Sequence, residues 1–188
     1  MATELFREKG YGGTSMEDIA QALGILKGSL YYYMNSKEDL LFEIVSAVHE
    51  DVQRILDDSL GRSDLPPLER VALYVREQVV YNVRNVARIS VYYREMDQLG
   101  PELRDQVRAH RRGQHAAVAA MLSEAQEGGE IASEVDIALA SHSVFATVNW
   151  IYTWWRPGGE ATPDQVATSC VDFVLGGISG FASANVSG

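Results

Sequence analysis

The sequence predicts an all-α protein of about nine helices, on two grounds. Apolar residues recur at three- and four-residue spacing, as in Leu40, Leu41, Ile44, Val45 and Val48, the period that gives a helix one buried face. Residues that open helices, such as Ser and Thr with an acid three positions on, alternate with glycines and prolines that close them. No stretch reads as a strand.

In chain order, a short first helix runs from Ala2 to Lys9 and ends at Gly10 and the turn Tyr11-Gly12-Gly13. Thr14 with Glu17 reads as a capping box for a second helix reaching about Leu23, where Gly24 stops it. The third spans about Leu26 to Met34, and Ser36 with Asp39 caps a long fourth. After the break from Gly61 to Pro67, Pro66-Pro67 suits the first turn of a fifth helix reaching about Tyr81. A sixth covers Val86 to Leu99. Gly100-Pro101 restarts the chain into a seventh, which ends at Gly128-Gly129. Ser133 with Asp136 caps an eighth that Pro157-Gly158-Gly159 terminates. Thr162, Pro163 and Gln165 open a ninth toward Phe181, and the tail from Ser183 to Gly188 is expected to fray. The domain reading is residues 1–45 for an N-terminal three-helix unit and 46–188 for a second helical domain.

Composition narrows the function. With 188 residues, 46% of them hydrophobic, the chain can bury a core. The longest apolar stretch, 137–152, is interrupted by Ser141, His142, Ser143 and Asn149, short of the roughly 20 apolar residues that span a bilayer. No membrane partner is expected. The start, MATELFREKGY, carries acids and no signal pattern, so a cytoplasmic location is expected. A single cysteine, Cys170, excludes an internal disulfide and a cysteine zinc site, and is expected to be buried. His110, His115 and His142 have poor spacing for a ligand set, so no metal and no cofactor is expected. With no Gly-rich phosphate loop, no H-E-x-x-H and no triad in motif context, no catalytic residue is assigned and the chain is read as a non-enzyme.

The net charge of -10 opposes binding to a polyanion. Its distribution does not: between Ile19 and Lys37 there is no acid, while Lys27, Lys37, Ser29, Tyr31, Tyr32 and Tyr33 supply charge and donors. The second and third helices, joined at Gly24, have helix-turn-helix spacing, in which the second of the pair enters the major groove of double-stranded DNA. Ile19, Ala20, Leu23, Ile25 and Leu30 are expected to pack the pair, leaving Lys27, Gly28, Ser29, Tyr32 and Tyr33 outward. Gly28 permits close approach, the hydroxyls of Thr14, Ser29 and Tyr31 can donate to phosphates, and Lys37 adds charge at a helix start. Residues 26–34 hold no Arg, Asn or Gln. Selectivity is therefore expected from Lys27, from aromatic contacts with thymine methyls and from DNA shape.

The run from Thr14 through Met16, Ile19, Leu23-Gly24, Gly28-Ser29, Tyr31 and Lys37 to Leu41 resembles the signature of the TetR family of transcriptional regulators. The resemblance implies phosphate contacts by Thr14, Tyr31 and Lys37, and a place near base edges for Lys27, Gly28, Ser29 and Tyr32. Family members usually carry a longer first helix preceded by a basic arm. This chain starts at what reads as mid-helix, so either the true start lies upstream or affinity is reduced.

Such readers bind two-fold sites, so a homodimer is expected. The last two helices carry more apolar surface than one helix pair needs, and Trp150, Trp154, Val166, Cys170, Phe173, Val174, Gly177 and Ile178 are the expected interface. The resemblance implies a four-helix bundle across the dimer. The segment from Trp150 to Gly159, with Leu175-Gly-Gly-Ile178, is similar to a TetR subgroup that controls lipid or steroid catabolism and responds to acyl-CoA-type ligands. In CoA-responsive members the eighth helix presents arginines, where this chain has Phe145, Asn149 and Thr153. A small, largely hydrophobic effector is expected instead, in a pocket built from Ile89, Tyr92, Tyr93, Met96, Val118, Met121, Leu122, Phe145, Asn149 and Tyr152, each of which could equally be core. The function expected is a ligand-released DNA-binding regulator, by family habit a repressor. A constitutive DNA binder, a non-DNA-binding interaction module and an enzyme or carrier on a helical bundle are the competing readings.

Overall fold

The computed structural model describes residues 1–180, and every regular element among them is helical. Phe181 and the tail from Ser183 to Gly188 lie outside the described residues. The chain forms two compact units, one from Met1–Asp51 with Asn85–His110, the other from Val52–Arg84 with Arg111 onward. Helices α4 (Lys37–Leu60) and α7 (Pro101–Glu127) contribute to both.

The first unit holds α1 (Ala2–Gly13), α2 (Met16–Leu23), α3 (Lys27–Tyr33), the start of α4, α6 (Val86–Glu95) and a 3-10 turn at Met96–Gln98. The break expected at Gly10 is present: its φ of +74° and ψ of 163° interrupt α1, a conformation that a side chain would resist. The cap of α2 is one residue later than expected. Ser15 and Asp18 form the capping box, with Asp18 N–H on Ser15 Oγ at 3.1 Å and Ser15 N–H on Asp18 Oδ2 at 2.9 Å. Thr14 is unavailable for that role because its hydroxyl turns back to donate to the Gly10 carbonyl at 2.8 Å. Lys9, at 2.6 Å, and Ser15 hold the Asp18 carboxyl well below the usual carboxylate range. At the other end Gly24 adopts φ +68° as the left-handed terminator, and Ile25 N–H reaches back to the Ala20 carbonyl at 3.0 Å.

Phe6, Ile19, Ala20, Leu30, Leu41, Ile44, Val45 and Val48 form the buried set of this unit with residues of α6. Leu23 and Ile25, expected to pack the helix pair, are more than a third exposed. The box at Ser36 and Asp39 is as expected, with reciprocal bonds of 3.0 and 3.1 Å. Glu38 Oε1 accepts the Gly100 N–H at 2.6 Å, tying the start of α4 to the start of α7. His49 is buried beside Tyr92, ring nitrogen to hydroxyl 2.9 Å.

In the second unit, α5 (Pro67–Arg84) packs along α10 (Pro163–Gly180) and against α8 (Ile137–Asn149) and α9 (Ile151–Trp154). Asp136, not Ser133, caps α8, accepting the Leu139 N–H at 3.0 Å. The single eighth helix expected from the sequence is two, because Trp150, at φ -84° and ψ -7°, interrupts the ladder. Thr162 and Gln165 form the box that opens α10, at 2.8 and 3.2 Å.

Lys37 clamps the first unit. Its ammonium donates to the carbonyls of Tyr11 at 2.6 Å and Thr14 at 2.8 Å and stands 4.2 Å from the centre of the Tyr11 ring. A charged donor on two carbonyls at a half-buried position contributes about 1–2 kcal/mol. Lys37→Met should lower unfolding free energy by that amount in urea titration; a loss below about 0.3 kcal/mol would show that the clamp does not hold α4 to the end of α1.

Candidate nucleic-acid interface

The seven residues of α3 expose nearly everything they carry. Leu30 is the buried exception; Lys27, Gly28, Ser29, Tyr31, Tyr32 and Tyr33 all face outward. Tyr32 is 86% exposed, and its ring meets that of Tyr33 edge-on at 5.3 Å. A Cβ at Gly28 would meet nothing within 4 Å, so a partner surface can approach the backbone there. Lys27 reaches Glu17 at 3.5 Å, a solvent-exposed pair that a phosphate can displace at little cost.

Two expected phosphate contacts are placed differently. Thr14 is 2% exposed, and its hydroxyl is spent on Gly10. Lys37 is half-buried and directs its ammonium at the two carbonyls described above. The bend from α1 into α2 accounts for both, since it buries Thr14 and leaves the Tyr11 and Thr14 carbonyls within reach of Lys37. Leu26, which the sequence reading left out, is 80% exposed at the N-cap of α3. An apolar residue in a capping position normally taken by Ser, Thr, Asp or Asn was the available signal.

The ten expected pocket residues divide between the units. Ile89, Tyr92, Tyr93 and Met96 belong to the first, with Tyr92 and Tyr93 ring centres 4.7 Å apart. Val118, Met121, Leu122, Phe145, Asn149 and Tyr152 belong to the second, where the first four are buried and the last two half-exposed. The expected interface residues also separate. Trp150, Trp154, Phe173 and Gly177 are exposed, Phe173 by 73%. Val166, Val174 and Ile178 are instead buried within their own chain, because they occupy the inward face of α10. Cys170, expected buried, is half-exposed, and partial burial pushes its thiol up. Beside Phe173 an open apolar groove of about 420 Å³ runs between α8 and α10, lined by Leu139, Ala140, Val144, Phe173, Val174 and Ile178 among others.

Residues 1–44 match the family of bacterial regulatory proteins of the TetR type, and residues 64–178 match the tetracyclin repressor-like C-terminal domain. The chain belongs to the TetR family. Its members are transcriptional regulators, in agreement with the sequence reading. The chain is 28% identical over 180 residues to the transcriptional repressor KstR2 of Mycobacterium tuberculosis, covering 95% of this chain and 90% of that protein. The solved structure of that ketosteroid regulator superposes with a TM-score of 0.88 at 27% identity, over 95% of this chain and 91% of that one. PfmR from Thermus thermophilus gives 0.85 at 33% identity, over 93% and 94% of the two chains. AibR, solved in complex with isovaleryl coenzyme A and operator DNA, gives 0.83 at 27% identity, over 93% and 94%. Among the described residues no helix is long and apolar enough to cross a membrane, and no group of three or more His, Cys, Asp or Glu is placed to hold a metal.

A TetR reader whose cation on α3 is Lys27 should lose one phosphate's worth of counterion release when that charge is removed. For Lys27→Ala the slope of log affinity against log salt is expected to fall by about one. An unchanged slope in fluorescence anisotropy would remove Lys27 from the DNA contact.

Proposed function

We propose that this TetR-family chain is a repressor that grips a palindromic operator as a homodimer and lets go when a small, largely hydrophobic effector fills its C-terminal unit. The observation that carries the reading is the acid-free, almost wholly exposed face of α3, on a chain whose net charge is -10. Exposing three tyrosines and a leucine around one short helix has no folding benefit. Opposite a major groove, the same surface supplies donors for phosphates and apolar contacts for thymine methyls. Lys27, Gly28, Ser29, Tyr31 and Tyr32 are the assigned contacts, with Leu26 beside them.

The dimer is supported by Leu139 on α8, Trp150 at the break after it, Trp154 on α9 and Phe173 on α10, large apolar side chains left exposed. Large apolar side chains left in solvent suit an association face, and a two-fold reader requires one. KstR2 is named as a repressor, and AibR was solved with a CoA thioester as well as operator DNA, so relatives support both repression and small-molecule control. The CoA thioester itself is not carried over: Phe145, Asn149 and Thr153 supply no cation for its phosphates.

Phe173→Asp tests the dimer and the DNA reading together. By sedimentation the wild-type chain should be a dimer and the variant a monomer, with retention of the DNA upstream of its own gene in a gel shift weakened by about tenfold or more. A monomeric wild type that still binds this DNA would contradict the proposal.

A further inference from the structure

Helix α5 carries two adjacent ladders at four-residue spacing, both buried. One is Val71, Val75, Val79 and Val83, an ordinary core stripe. The other is Arg70, Tyr74, Gln78 and Asn82. Spanning about 18 Å of helix, this polar stripe lies where burial alone calls for more valine and leucine.

At one end Asn82 is satisfied by the protein, while at the other Arg70 is paired but leaves its buried Nε without a hydrogen-bond partner. Arg70 pairs through Nη2 with Glu124 at 2.6 Å, so that end is neutral. Asn82 Nδ2 donates to the Val148 carbonyl at 2.8 Å, and its Oδ1 accepts from Gln78 Nε2 at 2.8 Å. That chain fixes both amides: a backbone carbonyl only accepts, so Asn82 must present its nitrogen there and its oxygen to Gln78. Gln78 Oε1 is therefore the atom left over, and it meets no hydrogen-bond partner within the protein although the residue is only 3% exposed. One turn away, the Tyr74 hydroxyl is equally unpartnered on a fully buried side chain. Stranding two such groups costs stability that a pair of apolar residues would not.

Aromatic rings flank Tyr74. Tyr74 faces the Phe145 ring at 6.2 Å between centres, and His115 stacks on that same ring at 3.7 Å. Burial, with His142 and Arg111 adding to it, holds the His115 imidazole below its ordinary value, so it is neutral at pH 7. Burial pushes the Tyr74 hydroxyl up, keeping it protonated and able to donate.

We propose that Tyr74 and Gln78 form the polar anchor of an effector site in the C-terminal unit, and that the effector is an uncharged apolar molecule bearing a hydroxyl. The chemistry selects the group. A hydroxyl accepts from Tyr74 and donates to Gln78 Oε1. An ether or ketone accepts but leaves Gln78 unmet, and a carboxylate sets a buried negative charge against the amide oxygen. The inference rests on the effector-controlled reading above and narrows it to one ligand class.

Titration calorimetry on the full chain can decide it with 1-decanol and cyclododecanol as linear and cyclic probes, their methyl ethers, and decanoate. At least one alcohol should bind about tenfold more tightly than its own ether, and decanoate more weakly than 1-decanol. Tyr74→Phe removes only the unpartnered oxygen. It should leave the ligand-free protein melting at or above the wild-type temperature while lowering alcohol affinity about fivefold or more. Equal binding of alcohol and ether, preference for decanoate, no binding by any probe, or an unchanged alcohol affinity in Tyr74→Phe would overturn the site. The same probes added to the protein–DNA complex separate the two readings. Alcohol-selective binding that leaves DNA bound contradicts release by the effector and keeps the site; release by ligands with no alcohol preference does the reverse.

Discussion

A helix of seven residues cannot hold itself together in water, and α3 carries one buried side chain with which to do it. Nucleation costs more than two turns of hydrogen bonding return, so the reading helix exists because its neighbours impose it. Leu30 is buried on a helix that packs against α2, where Ile19 and Ala20 are buried as well. Gly24 in the left-handed region sets the turn before it, and the box at Ser36 and Asp39 starts the next helix three residues beyond its end. Lys37 then fastens the start of α4 to the carbonyls at the end of α1. Because the framework supplies the stability, the remaining positions of α3 are free to be chosen for what they touch.

The same division of labour recurs in the second unit. On α5 a valine ladder packs beside a polar one, and on α8 and α10 the inward faces close the core while Leu139 and Phe173 remain outside. Both are departures from simple burial: polar atoms buried without partners on α5, and large apolar side chains left in solvent beyond it. Charge follows the pattern too. Twenty-six acids against sixteen bases make the chain strongly acidic, yet none of the acids falls between Ile19 and Lys37, which keeps repulsion away from the face proposed to meet phosphate.

Much of the fold could be read from the sequence because its punctuation is local. Gly10, Gly24, Ser36 with Asp39, and Thr162 with Gln165 act on the chain within four residues, and each does in the structure what its type implies. Misreadings arose where a neighbour competed. Thr14 resembles a cap, but the kink at Gly10 offers its hydroxyl a closer acceptor, and Ser15 takes the capping position. Asp136 rather than Ser133 caps α8, and nothing in the local composition of Trp150 announced that the helix breaks there. The site was legible as a segment and less so as individual side chains. Which face of α10 turns inward, and whether Lys37 points at solvent or at a carbonyl, depend on tertiary contacts that spacing does not encode. The polar ladder was present as a four-residue repeat, but a period-matched stripe beside valines reads as a solvated face until burial is known.

Selection of binding sites from a pool of random duplex DNA tests the central claim most directly. The account predicts enrichment of an inverted repeat whose half-sites lie about one helical turn apart, rich in thymine where α3 enters, with Tyr32→Ala abolishing the enrichment. Recovery of an asymmetric site, of no site, or of the same repeat by the variant would contradict it.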